Sequence, residues 1–265
     1  MNVRLATFVI TTIVIAGIGS VWWRSHEAEK EAAGVARVTD QQVVAPEIAR
    51  DPESPVPTAA ISEPAAGNRA RIDVPLEDIL AKNPGLPAEF KDKIRENVAA
   101  IRRGEPVVEE GSVPGLDKRI EALRPRLRQL DEVINAGLTR KPSDVSGTSL
   151  EGAFVGAHVT GTRTDNGWTG IGRVFQDPVL GAVILSETDL NAGNSASRLI
   201  PREAVNVNVR GAPGALSVLS DPTSGLSMSR LVWVDESGVS YEMLIQRTDV
   251  SAQNSMRQIA ESIRP

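Results

Sequence analysis

A long uncharged apolar run near the amino terminus is the feature that most constrains this chain. Residues 5–23 are nineteen consecutive residues without a charged side chain. At about 1.5 Å per residue, a helix of that length crosses a hydrocarbon core of roughly 30 Å. Trp22 and Trp23 at its end have the amphipathic rings that favour a membrane interface. The run therefore predicts a single transmembrane signal anchor over residues 1–24.

Two questions about this run stay open: whether it is cleaved and how it is oriented in the membrane. The basic start at residues 1–4 and the small residues Gly17 and Gly19 could belong to a cleaved signal peptide, although the apolar run is longer than a usual h-region and no A-x-A site ends it. Basic residues on the two sides nearly balance, so the positive-inside rule decides little. The default orientation of a signal anchor places the rest of the chain outside the cytoplasmic membrane.

The segment after the anchor predicts a flexible linker. Residues 25–75 are rich in Pro, Ala and Glu and contain few large apolar side chains. Such a composition buries too little surface to offset the entropy of ordering the chain. We therefore divide the chain into the anchor, this disordered linker, a helical neck over residues 76–141 and an α+β sheet domain over residues 142–265.

Two helical patterns define the neck. Residues 88–103 carry an apolar stripe between Pro87 and Gly104, the proline start and glycine stop of a helix. A second pattern has the alternating spacing of a coiled-coil seam, with Leu116, Ile120, Leu123, Leu127, Leu130 and Ile134 as its candidate interaction residues. Pro125 should kink this second helix. Either the two helices form an intramolecular helical hairpin, or the seam self-associates.

Short β-type runs between turn residues follow the neck and predict a mostly antiparallel sheet. The predicted strands are 153–160, 168–176, 180–187, 204–210, 214–219, 229–235 and 239–246. Turn chemistry at residues 235–238 predicts a hairpin that places Trp233 near Tyr241. These two side chains either belong to the core or contact a ligand on the sheet face. A closing helix, which Ser251 can cap, should pack its apolar stripe on the sheet.

This hairpin and the closing helix have a recognisable order: a strand with L-x-W, an acidic and glycine turn, a strand with Tyr, a polar link and a helix with I-A-E-S-I. The residues concerned are Leu231, Trp233, Gly238, Tyr241, Ile259, Ala260, Glu261 and Ser262. The arrangement, over about residues 229–263 only, resembles the small C-terminal domain of bacterial extracytoplasmic regulators associated with anti-sigma factors. The resemblance implies an extracytoplasmic sensing or interaction domain. It does not imply direct sigma-factor capture, because the zinc-type anti-sigma module needs Cys and His ligands in a cytosolic segment and this chain has no cysteine.

Residue types that carry common enzyme chemistry are scarce. The chain has no cysteine and two histidines, His26 and His158, which excludes disulfides, thiolate nucleophiles and Cys-ligated metals. No nucleophile elbow, P-loop or zinc-protease motif occurs, and Gly167, Gly170 and Gly172 predict a bulge or close strand approach, not a dinucleotide fingerprint. The formal net charge of -5 argues against nucleic acid. We expect no catalytic, cofactor-binding or metal site.

The sequence therefore predicts a bacterial single-pass protein of the cytoplasmic (inner) membrane. Its periplasmic domain would be a regulatory or binding module for a protein, peptide or lipid partner. The alternative is a structural or assembly component that forms a homo-oligomer through the 116–134 helix.

Overall fold

Eight strands form one sheet in the described part of the chain. The structure is a computed structural model that describes residues 74–109, 113, 115–192 and 200–265. The strands are β1 (Val107–Val108), β2 (Phe154–Thr164), β3 (Gly167–Asp177), β4 (Gly181–Asp189), β5 (Val207–Val209), β6 (Ala212–Asp221), β7 (Leu226–Val234) and β8 (Val239–Ile245). Their order is β1-β6-β7-β8-β4-β3-β2, with β5 on β6. All pairs are antiparallel except β1 with β6. The predicted α+β class with a mostly antiparallel sheet is confirmed.

Five α-helices flank this sheet in the described residues. They are α1 (Leu76–Ala81), α2 (Ala88–Arg103), α3 (Leu116–Leu123), α4 (Leu130–Asn135) and α5 (Val250–Ser262). Helix α2 begins after Pro87 and ends at Gly104, which has φ 71°, as its sequence pattern predicts. The predicted cap of α5 is wrong. Ser251 lies inside the helix, whereas the Asp249 carboxylate accepts from the Ala252 N–H at 3.0 Å.

Helices α1, α2 and α3 cover one face of the sheet, which we call the neck face. Their apolar side chains share one core cluster with alternate residues of the strands, among them Ile94, Leu116, Val174, Ile184 and Val232. Side chains of successive strand residues point to opposite faces. The described residues of the neck and of the sheet domain therefore contribute to the same core.

Helix α5 covers the other face, which we call the C-helix face. Met256 and Ile259 of α5 are buried with Leu185, Leu231 and Met243 of the central strands. The predicted packing of the closing helix on the sheet is confirmed.

The predicted strand 204–210 is shorter than expected. A 3₁₀ turn occupies Arg202–Ala204, and the Asn206 side chain forms hydrogen bonds of 2.8 Å with both the N–H and the carbonyl of Leu216.

The continuous helix predicted over residues 116–134 does not form. Helix α3 ends at Leu123, a 3₁₀ turn containing Pro125 follows at Arg124–Arg126, and α4 begins at Leu130. Between the 3₁₀ turn and α4, the chain runs along the outer edge of β2, where Arg128 and Ala157 exchange two backbone hydrogen bonds of 2.8 and 2.9 Å. Proline removes an interior helical donor, so the predicted kink becomes a complete break.

The seam residues consequently lie on both faces of the sheet. Leu116 is fully buried, and Ile120, Leu123 and Leu127 pack on the neck face. Leu130 packs with Ala157 of β2 and Ile171 of β3 on the C-helix face, while Ile134 is 37% exposed. The segments 88–103 and 116–134 therefore pack on the sheet, and the predicted helical hairpin is replaced by this arrangement.

The predicted anchor at residues 5–23 and the predicted linker, apart from its last two residues, lie outside the described residues. Within the part of the chain that the structure describes, no helix combines the length and the apolar character needed to cross a membrane.

Candidate functional site

Trp233 and Tyr241 form an aromatic pair at one end of the sheet. They are register partners on β7 and β8, and their rings stack with centroids 4.7 Å apart and planes 4° apart. The predicted cross-strand proximity is confirmed. Trp233 is 3% exposed and Tyr241 is 2% exposed, so most of both side chains belongs to the core of the C-helix face.

A groove of about 290 Å³ lies beside this pair. It is formed where the β5–β6 turn, the β7–β8 turn and the end of α5 meet. Its lining is apolar at Val209, Ala212, Trp233, Ala260 and Ile263 and polar at Arg210, Asp235, Glu236, Ser237 and Tyr241, with Pro265 beside them. This volume is close to the lower end of the range for small-ligand pockets, and the mixture of apolar lining and few polar groups is typical of them.

Asp235 organises the polar rim on the β7–β8 turn. One carboxylate oxygen accepts from the Ser237 hydroxyl at 2.7 Å and from the Val239 N–H at 2.9 Å. The other accepts from the Tyr241 hydroxyl at 3.1 Å. Burial, with the nearby Asp235 charge, raises the pKa of the Tyr241 hydroxyl well above its ordinary value, so this hydroxyl stays a donor. Asp235 is thus a positioning residue, and Glu236 beside it is exposed.

Arg210 supplies the positive charge of the rim. It has φ 52°, in the left-handed region that a β5–β6 turn of this kind requires. Its Nη1 donates to the Ile263 carbonyl at 2.5 Å, which ties the turn to the end of α5. A guanidinium has five N–H donors, so this bond occupies one of them.

His158 lies away from the groove, on β2. Burial lowers the pKa of its imidazole below the ordinary value, and its Nδ1 lies 3.1 Å from the Val159 carbonyl. A Cβ at Gly172 would lie 2.5 Å from His158 Nε2, so the imidazole occupies the space beside this glycine. The predicted close strand approach is found at Gly170, where a Cβ would lie 2.7 Å from the Glu187 carbonyl oxygen of β4. In the described residues, no three His, Asp or Glu side chains are grouped to hold a metal ion.

The sequence alone indicates only part of the groove. Trp233 and Tyr241 are candidate contact residues, and Asp235 and Glu236 fall in the predicted hairpin turn without a binding role. Arg210 is not among the candidates, because its only local signal is a glycine directly after it between two β-type runs. The candidate seam from Leu116 to Ile134 is not part of the groove.

Comparison with protein-family models, with curated proteins and with solved structures gives no match to this chain. The structure has a hairpin, β7–β8, followed by α5 in the region of the resemblance. The relationship of residues 229–263 to extracytoplasmic regulators associated with anti-sigma factors stays a prediction.

Proposed function

We propose that this chain is a single-pass envelope protein of the cytoplasmic membrane whose extracytoplasmic α+β domain binds a protein, peptide or lipid partner. The observation that carries the binding role is the groove beside Trp233. Three separate segments bring an apolar lining and a charged rim together there. The bonds of Asp235 and Arg210 hold the rim in place before any partner arrives, and such preorganisation lowers the entropic cost of binding.

The membrane attachment rests on the apolar run at residues 5–23 and the composition of the linker. A flexible chain of about fifty residues has a root-mean-square reach of order 40 Å. The domain would therefore reach partners within about that distance of the membrane surface. Reporter fusions after Arg24 and after Pro265 should be active only outside the cytoplasm, and cytoplasmic activity of both would overturn this part of the proposal.

Site-specific photo-crosslinking tests the binding role in the full chain in its native envelope. A photoreactive amino acid replaces Pro265, an exposed residue of the groove lining, so that Asp235, Glu236 and Arg210 stay in place. The control position is Glu132, which is also exposed but lies on α4, a helix associated with β2 at the far edge of the sheet. We expect a discrete adduct from position 265 and none from position 132. Equal labelling at the two positions, or no adduct at either, would contradict the binding role.

We rank the binding role above the alternative of an oligomeric structural component. That alternative depends on an accessible seam. Five of its six side chains pack within the chain, at Leu116, Ile120, Leu123, Leu127 and Leu130. No described contact favours the seam as a surface for a second copy.

A further inference from the structure

Five side chains form the apolar part of the groove, from Val209, Ala212, Trp233, Ala260 and Ile263. The groove has a volume of about 290 Å³, close to the lower end of the range for small-ligand pockets. It accommodates one large apolar side chain with the adjoining backbone.

The rim on the β7–β8 turn is acidic. The Asp235 carboxylate already accepts three hydrogen bonds from its own turn and from Tyr241. Glu236 is exposed beside it, so its carboxylate is the group that an incoming ligand meets first. An ammonium or guanidinium group forms charge-assisted hydrogen bonds with such a carboxylate, whereas the anionic headgroup of a phospholipid is repelled by it.

The rim on the β5–β6 turn is basic and partly fixed. Arg210 is held through Nη1 by the Ile263 carbonyl, and its remaining donors suit a carbonyl or carboxylate oxygen. A peptide is the ligand class that offers all three partners at once: an apolar side chain for the lining, a cationic side chain for Glu236 and backbone carbonyls for Arg210.

We infer that the groove binds a peptide segment in which a large apolar side chain is flanked by lysine or arginine. The inference rests on the proposed binding function and specifies its partner class. Specificity for a basic segment arises at the exposed rim, because the apolar lining alone does not discriminate between charges.

A charge-reversal experiment on the full chain in lipid nanodiscs tests the inference. The probes are three fluorescein-labelled pentapeptides with glycine ends: leucine between two lysines, leucine between two glutamates, and serine between two lysines. The variants are Glu236→Arg and, as the matched control, Glu132→Arg. The unfolding temperatures of both variants should equal that of the unmodified chain, because both carboxylates are exposed.

We expect the leucine–lysine peptide to bind most tightly to the unmodified chain. Glu236→Arg should lower the affinity for this peptide by about tenfold at low ionic strength, since an attraction at the rim becomes a repulsion. The same variant should raise the affinity for the glutamate peptide. Glu132→Arg should change neither affinity. The serine peptide should bind weakly to all three proteins, because it does not fill the apolar lining.

Three results would overturn the inference. One is peptide affinity that does not depend on charge or is equally affected by both variants. Another is self-association that Glu236→Arg abolishes, which would assign the groove to a second copy. The third is tighter association with phosphatidylglycerol than with phosphatidylcholine vesicles through Arg210. In each case a specific crosslink at position 265 would still support the binding role, whereas absence of both the crosslink and peptide binding would remove both proposals.

Discussion

The two faces of the sheet each bury a cluster of charged side chains, and the clusters differ in how completely they are hydrogen-bonded. On the C-helix face, the side chains of Arg173 and Glu187 are 2% and 7% exposed and form an ion pair. Ser143 donates to Glu187 Oε2 from its N–H at 2.9 Å and from its hydroxyl at 2.6 Å. Arg173 Nη1 donates to the Ser143 carbonyl at 2.9 Å. Both oxygens of the Glu187 carboxylate thus have partners, and Arg173 Nε is the one atom of this pair that is buried without a hydrogen-bond partner.

The cluster on the neck face is less well bonded. Glu109, which is 8% exposed, lies close to Arg119, Arg230 and Glu242. Arg230 and Glu242 form an ion pair of 2.5 Å, but Glu109 Oε1 and Arg119 Nε are buried without a hydrogen-bond partner. Burial raises the pKa of Glu109 and lowers the pKa of Arg119, so desolvation outweighs attraction for both groups.

The comparison shows that a buried charge stabilises a fold only through its partners. Removing one member of a well-bonded pair leaves an uncompensated charge, whereas neutralising a poorly bonded group removes a desolvation cost. Because both residues form hydrogen bonds with Ser143, the Arg173–Glu187 pair also holds the segment before β2 against β3 and β4. The two clusters should therefore respond to substitution in opposite directions.

The largest effect is expected for Glu187→Ala. It leaves the Arg173 guanidinium buried without its carboxylate and removes the acceptor of two Ser143 bonds. The free energy of unfolding should fall by about 3–5 kcal/mol, measured by urea denaturation of the full chain. Glu132→Ala, which truncates an exposed carboxylate, should change it by no more than about 0.5 kcal/mol. A loss as small as that of the control would mean that the C-helix-face cluster is not closed to water.

A comparable but purely apolar effect is expected on the same face for Ile259→Ala. Ile259 is 5% exposed and packs in the core under α5, so the substitution should cost about 2–5 kcal/mol of unfolding free energy. Glu261→Ala, on the exposed side of the same helix, should cost within about 0.5 kcal/mol. Thermal unfolding of both variants measures the contrast. Equal small losses would show that α5 does not dock on the sheet.

On the neck face, Gly172→Ala should cost about 1–3 kcal/mol, because overpacking forces neighbouring groups to shift. The added methyl would lie 2.5 Å from His158 Nε2, and the imidazole would have to leave its position over β3. Gly85→Ala is the matched control, since nothing lies within 4 Å of the added atom there. If both alanine variants unfold at the same urea concentration as the unmodified chain, His158 is not packed against β3.

Local patterns in the sequence predict much of this fold. The bounds of α2, the strands of the sheet domain and the pairing of Trp233 with Tyr241 follow from apolar periodicity and from turn residues. These signals act over a few residues, and the structure preserves them because the same side chains that favour each element also bury its apolar face.

Other features can be predicted only when it is known which strands pair and which elements pack on each face of the sheet. Spacing of three and four residues predicts an apolar helical face but does not say what covers it. The pattern from Leu116 to Ile134 therefore predicted a continuous seam, whereas the helix breaks and the chain passes along the edge of β2. The groove needs Arg210, Glu236 and Ile263 from three segments. The buried pair Arg173 and Glu187 is separated by 14 residues, and only strand register brings the two together.

The smallest effect, and the sharpest test of the comparison, is expected for Glu109→Gln. Burial raises the pKa of Glu109 in the folded state above its ordinary value of 4.5. Below that pH the carboxyl is protonated in both the folded and unfolded chain, and the full stability is present. As the pH rises through the raised folded-state pKa, the buried group ionises and stability is lost. The amide of the variant escapes this loss, so the stability of the variant relative to the unmodified chain should increase as the pH rises above 4.5.

Urea denaturation at a series of pH values measures this gap, with Glu132→Gln as the exposed control that should show no such trend. The attraction of Arg119 and Arg230 works against the effect, because both lower the pKa of Glu109. If the unmodified chain is the more stable protein at pH 7, that attraction exceeds the desolvation cost. The neck-face cluster would then hold its fold together as the Arg173–Glu187 pair does, and the contrast between the two faces would be one of hydrogen-bond geometry alone.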